Sequence, residues 1–381
     1  MARPDAHTVT RFDALDAWRG VCAVLVALYH LPVGWSLGDW AVVRNGFLFV
    51  DFFFVLSGFV ISHAYGERLS GGRAYGAFLI RRFGRVWPLH VVVLLAFAAV
   101  EAVKLALLAD PAGGERTSAF AFLTNLTLVH GLGIHGTLTW NPLSWSISVE
   151  FWVYVLFGLA VLAGGRWRVG LTVAAGVAGL AVLAVFSPHG MDATYDYGLF
   201  RCLYGFAVGC GTYALWRRTS RRSIPAPARK GAATALEGVA VAAAVLFVAN
   251  SGHDPAALAA PLVFAGVVWV FAHEAGAVSR ALTTPALQYL GAISYGIYII
   301  HGLLLYVVTN AIGLSARWGG KDGGAVAVHG PAGDALAIAY AAAVIALAAL
   351  AARLVEGPGR RAFNRLAIAH ERRGVTANAY P

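Results

Sequence analysis

Apolar residues in this chain fall in long unbroken blocks rather than in alternation. From about position 14 to 355, stretches close to the roughly 20 residues needed to cross a bilayer as a helix recur, separated by short polar intervals. Ten blocks are expected to be spans, near residues 14–33, 46–65, 87–109, 145–163, 169–187, 197–216, 232–250, 256–273, 286–309 and 332–355. Between the third and fourth, AFLTNLTLVHGL (121–132) is too short to span comfortably and is expected as a re-entrant or interfacial helix. The pattern predicts an all-α polytopic transmembrane bundle, with one membrane domain over 1–356. Beyond it, 357–381 forms a tail in which RRAFNRLAIAH makes a short basic amphipathic helix on the inner surface. No internal repeat and no low-complexity tract breaks the series.

Composition agrees with this pattern and narrows it. Hydrophobic residues make up 59% of the 381 positions and charged residues 13%, against roughly 25% charged in soluble domains. The first block, LDAWRGVCAVLVALYHLPVGW, carries Arg19 and His30 and lacks a small-x-small cleavage site, so it is expected to be retained rather than removed as a signal peptide. Cys22, Cys202 and Cys210 lie within apolar segments without metal-ligand spacing and are assigned to packing, and no metal is expected.

A formal charge of +10 raises the question of nucleic acid, and the placement of the charges answers it. With the N-terminus in the cytoplasm, the inside segments hold 21 Lys and Arg, while the outside loops hold four: Arg44, Arg116, Arg317 and Lys321. That asymmetry predicts ten spans with both termini inside. The basic run RRTSRR (217–222) then reads as a cytoplasmic anchor rather than a nucleic-acid site.

Ionisable side chains within a membrane are costly, so each calls for a partner or a function. Arg19 and His30 lie eleven residues apart, nearly on one helical face and roughly 16 Å apart along the axis. Arg19 is expected near the cytoplasmic side and His30 deeper toward the exterior. Asp51 opens the second block (VDFFFVLSGFVIS) at its outer end, where it is expected beside His30 to fix the imidazole tautomer. An Asp facing interfacial water is the alternative. In the fourth block, SWSISVEFWVYVLF, Ser146, Glu150 and Tyr154 share a face at spacings of four, placing Glu150 at the depth of His30 as a second carboxylate for the base or a binder of an acceptor hydroxyl. Arg82 and Arg85, in RRFGRVWPLH, are three apart at the cytoplasmic boundary; Arg forks suit phosphate, and topogenic charge is the other reading. Ser294, Tyr298 and His301 make another stripe in SYGIYIIHGLLLY, lining the same cavity or simply buried and satisfied.

Taken in order, LDAWRGVCAVLVALYH with its Arg-x10-His, DFFFVLSGFVIS, RRFGRVWP, LSWSISVEFWVY, SYGIYIIH and VEGPGRR resemble the acyltransferase-3 family of bacterial membrane O-acyltransferases. The resemblance spans nearly the whole chain. It implies acyl transfer from acyl-CoA, expected to be acetyl-CoA, to a hydroxyl of a glycan or glycosylated small molecule, in the bacterial inner membrane. It further implies that His30 is the essential catalytic residue, that Arg19, Arg82 and Arg85 serve the acyl donor, and that Glu150 occupies the family's carboxylate position, with Asp51 completing the catalytic set. Ser146, Tyr154, Tyr298 and His301 are expected to bind substrate. Two departures stand out: Phe49 replaces a Gly frequent two residues before the Asp51 position, and the C-terminal SGNH esterase-like domain of many relatives has no counterpart. Direct transfer to the final acceptor, or hand-over to a separate protein, is therefore expected. A transporter or flippase for a glycan or lipid-linked sugar is the rival reading, since embedded charges also line permeation paths.

Overall fold

The computed structural model of the chain describes residues 11–108, 114–220, 229–318 and 330–377, and the side chains of 11–107, 114–220, 231–310 and 330–372. Arg221 and Arg222 of the basic run, Lys321 and most of the loop 313–331, the Arg317 side chain and the last four residues of the tail lie outside the described residues. Among the described residues there is no strand. The helices are α1 (Asp13–Tyr29), α2 (Ala41–Arg44), α3 (Phe49–Tyr65), α4 (Gly72–Leu108), α5 (Ala119–Leu126), α6 (Trp145–Ala163), α7 (Gly165–Phe186), α8 (Gly198–Ser220), α9 (Arg229–Ser251), α10 (Ala260–Phe271), α11 (Ala277–Leu282), α12 (Pro285–Ala292), α13 (Ser294–Trp318), α14 (Pro331–Ala351) and α15 (Gly357–Ala377).

Each apolar block coincides with a helix. Among the described residues six segments are long and apolar enough to cross a membrane, and a seventh arises if α12 and α13, bent by 64° at Ile293, count as one broken span. The helices in the remaining blocks, α1, α8 and α10, are shorter or more polar. The segment expected at 121–132 is α5, only eight residues long, started by Ser118, whose hydroxyl accepts from Ala121 N.

α1 begins with Asp13 and Asp16 in its first turn, where the helix dipole favours acids, and stops at Tyr29, because Pro32 disfavours a helical Leu31 before it. Small residues permit the closest pairing in the bundle. A Cβ on Gly58 of α3 would collide with the Phe206 carbonyl of α8, and one on Gly209 of α8 with the Val55 carbonyl of α3. The two backbones touch there, as small-residue interfaces in membranes allow.

The largest difference from expectation lies in α4, which starts at Gly72 rather than near 87 and runs 37 residues through Pro88. At about 1.5 Å per residue that is roughly 55 Å, well beyond a hydrocarbon core of about 30 Å. Its polar first half lies against α15, where Phe363 packs on Phe83 and Trp87 and Arg81 pairs with Glu371 at 2.8 Å. The tail helix thus begins directly after a π turn, Ala352–Glu356, that ends α14, and docks on protein along α4.

Candidate active site

α1, α3, α4, α6 and α13 enclose a cavity of about 910 Å³, counting its open side. Arg19, Arg82 and Arg85 lie at one end; Ser146, Phe53 and Tyr298 lie toward the other. The stripe Ser146, Glu150 and Tyr154 lines it in full, joined by Ser57, Ser294 and Tyr295. The remaining lining is aliphatic and aromatic, so the cavity couples a cationic end to an apolar barrel.

The three arginines are held differently. Arg19 donates to Ser294 Oγ (2.8 Å) and to the Gly291 carbonyl (2.9 Å), and pairs with Asp16 at 3.0 Å. Arg85 pairs with Glu356 at 2.8 Å and lies over the Tyr295 ring at 5.1 Å. The π turn carries Glu356 toward α4, in keeping with the frequent appearance of such turns at functional sites. Arg82 lies over Tyr65 at 5.4 Å, and its buried Nε has no hydrogen-bond partner among the described residues. A buried guanidinium donor without an acceptor carries a desolvation cost of about 1–3 kcal/mol or more, which an anionic ligand would relieve. The set therefore suits an anionic, phosphate-like group.

Glu150 accepts from the Tyr154 hydroxyl at 2.6 Å, and that hydroxyl is 2.8 Å from Ser57 Oγ. Its place is thus on the arginine side of the cavity. The Ser146 and Tyr298 hydroxyls are 2.7 Å apart. Behind Tyr298, outside the cavity lining, stands His301, with ring centroids 5.8 Å apart, and behind His301 stands His30, at 5.2 Å.

The two imidazoles form a dyad whose protons follow from their partners. His30 Nδ1 is 2.8 Å from the Val26 carbonyl and His301 Nδ1 is 3.1 Å from the Ile297 carbonyl. A carbonyl only accepts, so each Nδ1 carries its hydrogen. His301 Nε2 is then a bare acceptor 3.3 Å from His30 Nδ1–H, and His30 Nε2 is left unprotonated in the neutral ring. This is the state a general base requires.

Asp51 sits elsewhere than beside His30. Both of its oxygens accept from Arg201 of α8, at 3.0 and 2.8 Å, with exposures of 0% and 1% for the two side chains. Arg201 also donates to the Phe47 and Ala193 carbonyls. The tautomer assigned in advance to a carboxylate is here set by a backbone carbonyl and a second histidine. Sequence reasoning missed Arg201, Glu356, Tyr295 and Ser57. A charge within an apolar block was the available signal for Arg201, and VEGPGRR for Glu356, but neither reveals its partner across 150 or 271 residues. Among the described residues no cluster of three or more potential metal ligands occurs.

Comparison with known proteins places these features in a wider group. Residues 12–353 match the family model described as Acyltransferase domain. The chain is 22% identical over 332 residues to "Peptidoglycan O-acetyltransferase OatA" of Listeria monocytogenes, covering 82% of this chain and 52% of the relative. It is 26% identical over 331 residues to "Putative peptidoglycan O-acetyltransferase YrhL" of Bacillus subtilis, covering 80% and 50%. "Protein 2 in picA locus" of Rhizobium radiobacter is 34% identical over 190 residues, covering 46% and 92%. The chain spans about half the length of the first two relatives. No solved structure matches.

Proposed function

The chain belongs to the acyltransferase-3 family, and from that premise we propose that it is a membrane O-acetyltransferase moving acetyl from acetyl-CoA to a hydroxyl of a glycan or glycosylated small molecule. The reading rests on one observation above all. A cavity with three arginines at one end closes at the other on Tyr298, immediately behind which the His301–His30 dyad begins.

In this reading the ten apolar blocks span the bacterial inner membrane with both termini inside, as the 21 inner Lys and Arg favour. The arginine end then faces cytoplasmic acetyl-CoA. Bound there, acetyl-CoA would supply an acetyl group activated as a thioester. Arg82, with its unsatisfied Nε, and Arg85, steered by Glu356, bind phosphate; Arg19 marks the route inward. His30 Nε2 takes the proton of the acceptor hydroxyl as its oxygen attacks the acetyl carbonyl. The new C–O bond forms, the C–S bond breaks, and the proton passes from the imidazolium to the departing thiolate. The positive charge on His30 is shared with the Val26 carbonyl and His301 Nε2, both acceptors already in place. A route through a transiently acylated His30 uses the same nitrogen.

Purified protein given acetyl-CoA and candidate glycans tests the reading, together with mass spectrometry of envelope glycans from cells with and without it. Loss of a 42-dalton increment when the protein is absent is expected, about the mass an acetyl group adds in place of hydrogen. Full transfer by a His30→Ala variant would remove the proposed base. Movement of a glycan without consumption of acetyl-CoA would instead establish the transporter reading.

A further inference from the structure

The reacting imidazole has a second approach, away from the arginines. Tyr29 packs edge-on against His30 with centroids 4.7 Å apart, and leans on Phe47 at 6.1 Å. Phe47 is buried and lies flat under His253, at 4.8 Å and 5°. His253 is 60% exposed, so its other face is open, and its Nδ1 stands 3.8 Å from the Asp192 carboxylate. Asp192 belongs to the turn between α7 and α8 and is 33% exposed. It lies within electrostatic reach of both His30 and the Tyr29 hydroxyl. That hydroxyl has no hydrogen-bond partner among the described residues.

We propose that Asp192, Tyr29 and His253 form the acceptor subsite, and that it takes an uncharged sugar ring whose hydroxyls are held by Asp192 beside the one presented to His30. The inference rests on the transfer reaction proposed above. An ionised carboxylate only accepts, with about four lone-pair sites, and so suits two neighbouring hydroxyls, each of which must donate. The open face of His253, backed by Phe47, offers the flat surface on which the C–H side of a pyranose packs. The Tyr29 hydroxyl supplies a third polar contact one residue from the base. Across this vestibule the charge set against His30 is negative, while the nearby Arg201 is already spent on Asp51 and two carbonyls. An anionic acceptor would be repelled, and a neutral one is not. The turn at 187–197 and the segment at 252–254 thus carry the selecting role in this proposal.

Membranes of cells carrying the full chain hold the native acceptors, so the test supplies them with radiolabelled acetyl-CoA and follows label into carbohydrate. Wild type is expected to label a glycan, and Asp192→Ala to lose about tenfold or more of that label, Asp192→Glu recovering part. The purified variant should keep the wild-type KM for acetyl-CoA while its KM for the labelled acceptor rises. Wild-type labelling by Asp192→Ala would overturn the assignment. Should that variant fail to fold, His253→Ala carries the test on an exposed side chain, and wild-type labelling and acceptor KM there would overturn it equally. If wild type labels no carbohydrate at all, the transferase reading itself has failed and this subsite falls with it.

Discussion

The position of the proton on the neutral His30 ring is set by its own helix. His30 needs no carboxylate to fix its tautomer, because the Val26 carbonyl one turn back holds Nδ1–H and His301 offers a second acceptor. His30→Ala should lower kcat by about 10²- to 10⁴-fold, the worth of a positioned base, with KM for acetyl-CoA little changed. His301→Ala should lose about fivefold in kcat, matching one net hydrogen bond, and steady-state kinetics checks both. Asp51 and Arg201 behave differently. Removing one partner leaves the other charge buried, so Asp51→Ala should destabilise by about 3–5 kcal/mol, while a double replacement by Asp51→Leu and Arg201→Met should recover much of the loss. Thermal unfolding in detergent reads this directly, and an Asp51→Ala protein with wild-type stability would contradict a structural role. At the arginine end, Arg82→Ala should raise KM for acetyl-CoA by about 10- to 150-fold, as for a charge-assisted hydrogen bond. Arg82→Lys should rescue little, because the planar fork is lost.

Helices, at the next scale, were legible wherever a run of about 20 apolar residues announced them. Ser146, Glu150 and Tyr154 share one face of α6 and line one cavity, because helical spacing alone determines such neighbours. Tertiary partners were not legible in the same way. The polar first half of α4 reads as loop in a hydropathy pattern, yet it is helix and packs along α15 through Phe363 and Glu371. Asp51 was drawn to His30 by loop length, yet an Arg from a helix 150 residues away reaches it first. Gly58 and Gly209 set the distance between α3 and α8. Gly209→Leu should therefore force those backbones apart and destabilise by about 1–3 kcal/mol or more. Gly211→Ala on the same helix, where an added methyl meets no atom, should be nearly neutral, and a thermal-shift comparison of the two decides it.

The cavity is polar along its length, with three arginines at one end and the histidine dyad beyond Tyr298 at the other. The proposed sidedness rests on the charge count and is open to direct measurement. Ser70→Cys, before α4, should react with a membrane-impermeant maleimide only in inverted vesicles, and Gly190→Cys, between α7 and α8, only in intact cells; the opposite pattern would reverse the topology. The chain's own cysteines do not confuse the result, because Cys22 and Cys202 are buried and Cys210 is half-buried in the bundle. Glu356 sits at the joint where α14 passes into α15 and pairs with Arg85 of the cavity lining, so the C-terminal helix doubles as a tether on the wall of that cavity. A reporter fused close behind that joint, or a trimmed C-terminus, would pull on the cavity wall, and weaker donor uptake in such preparations would reflect the fusion rather than the enzyme.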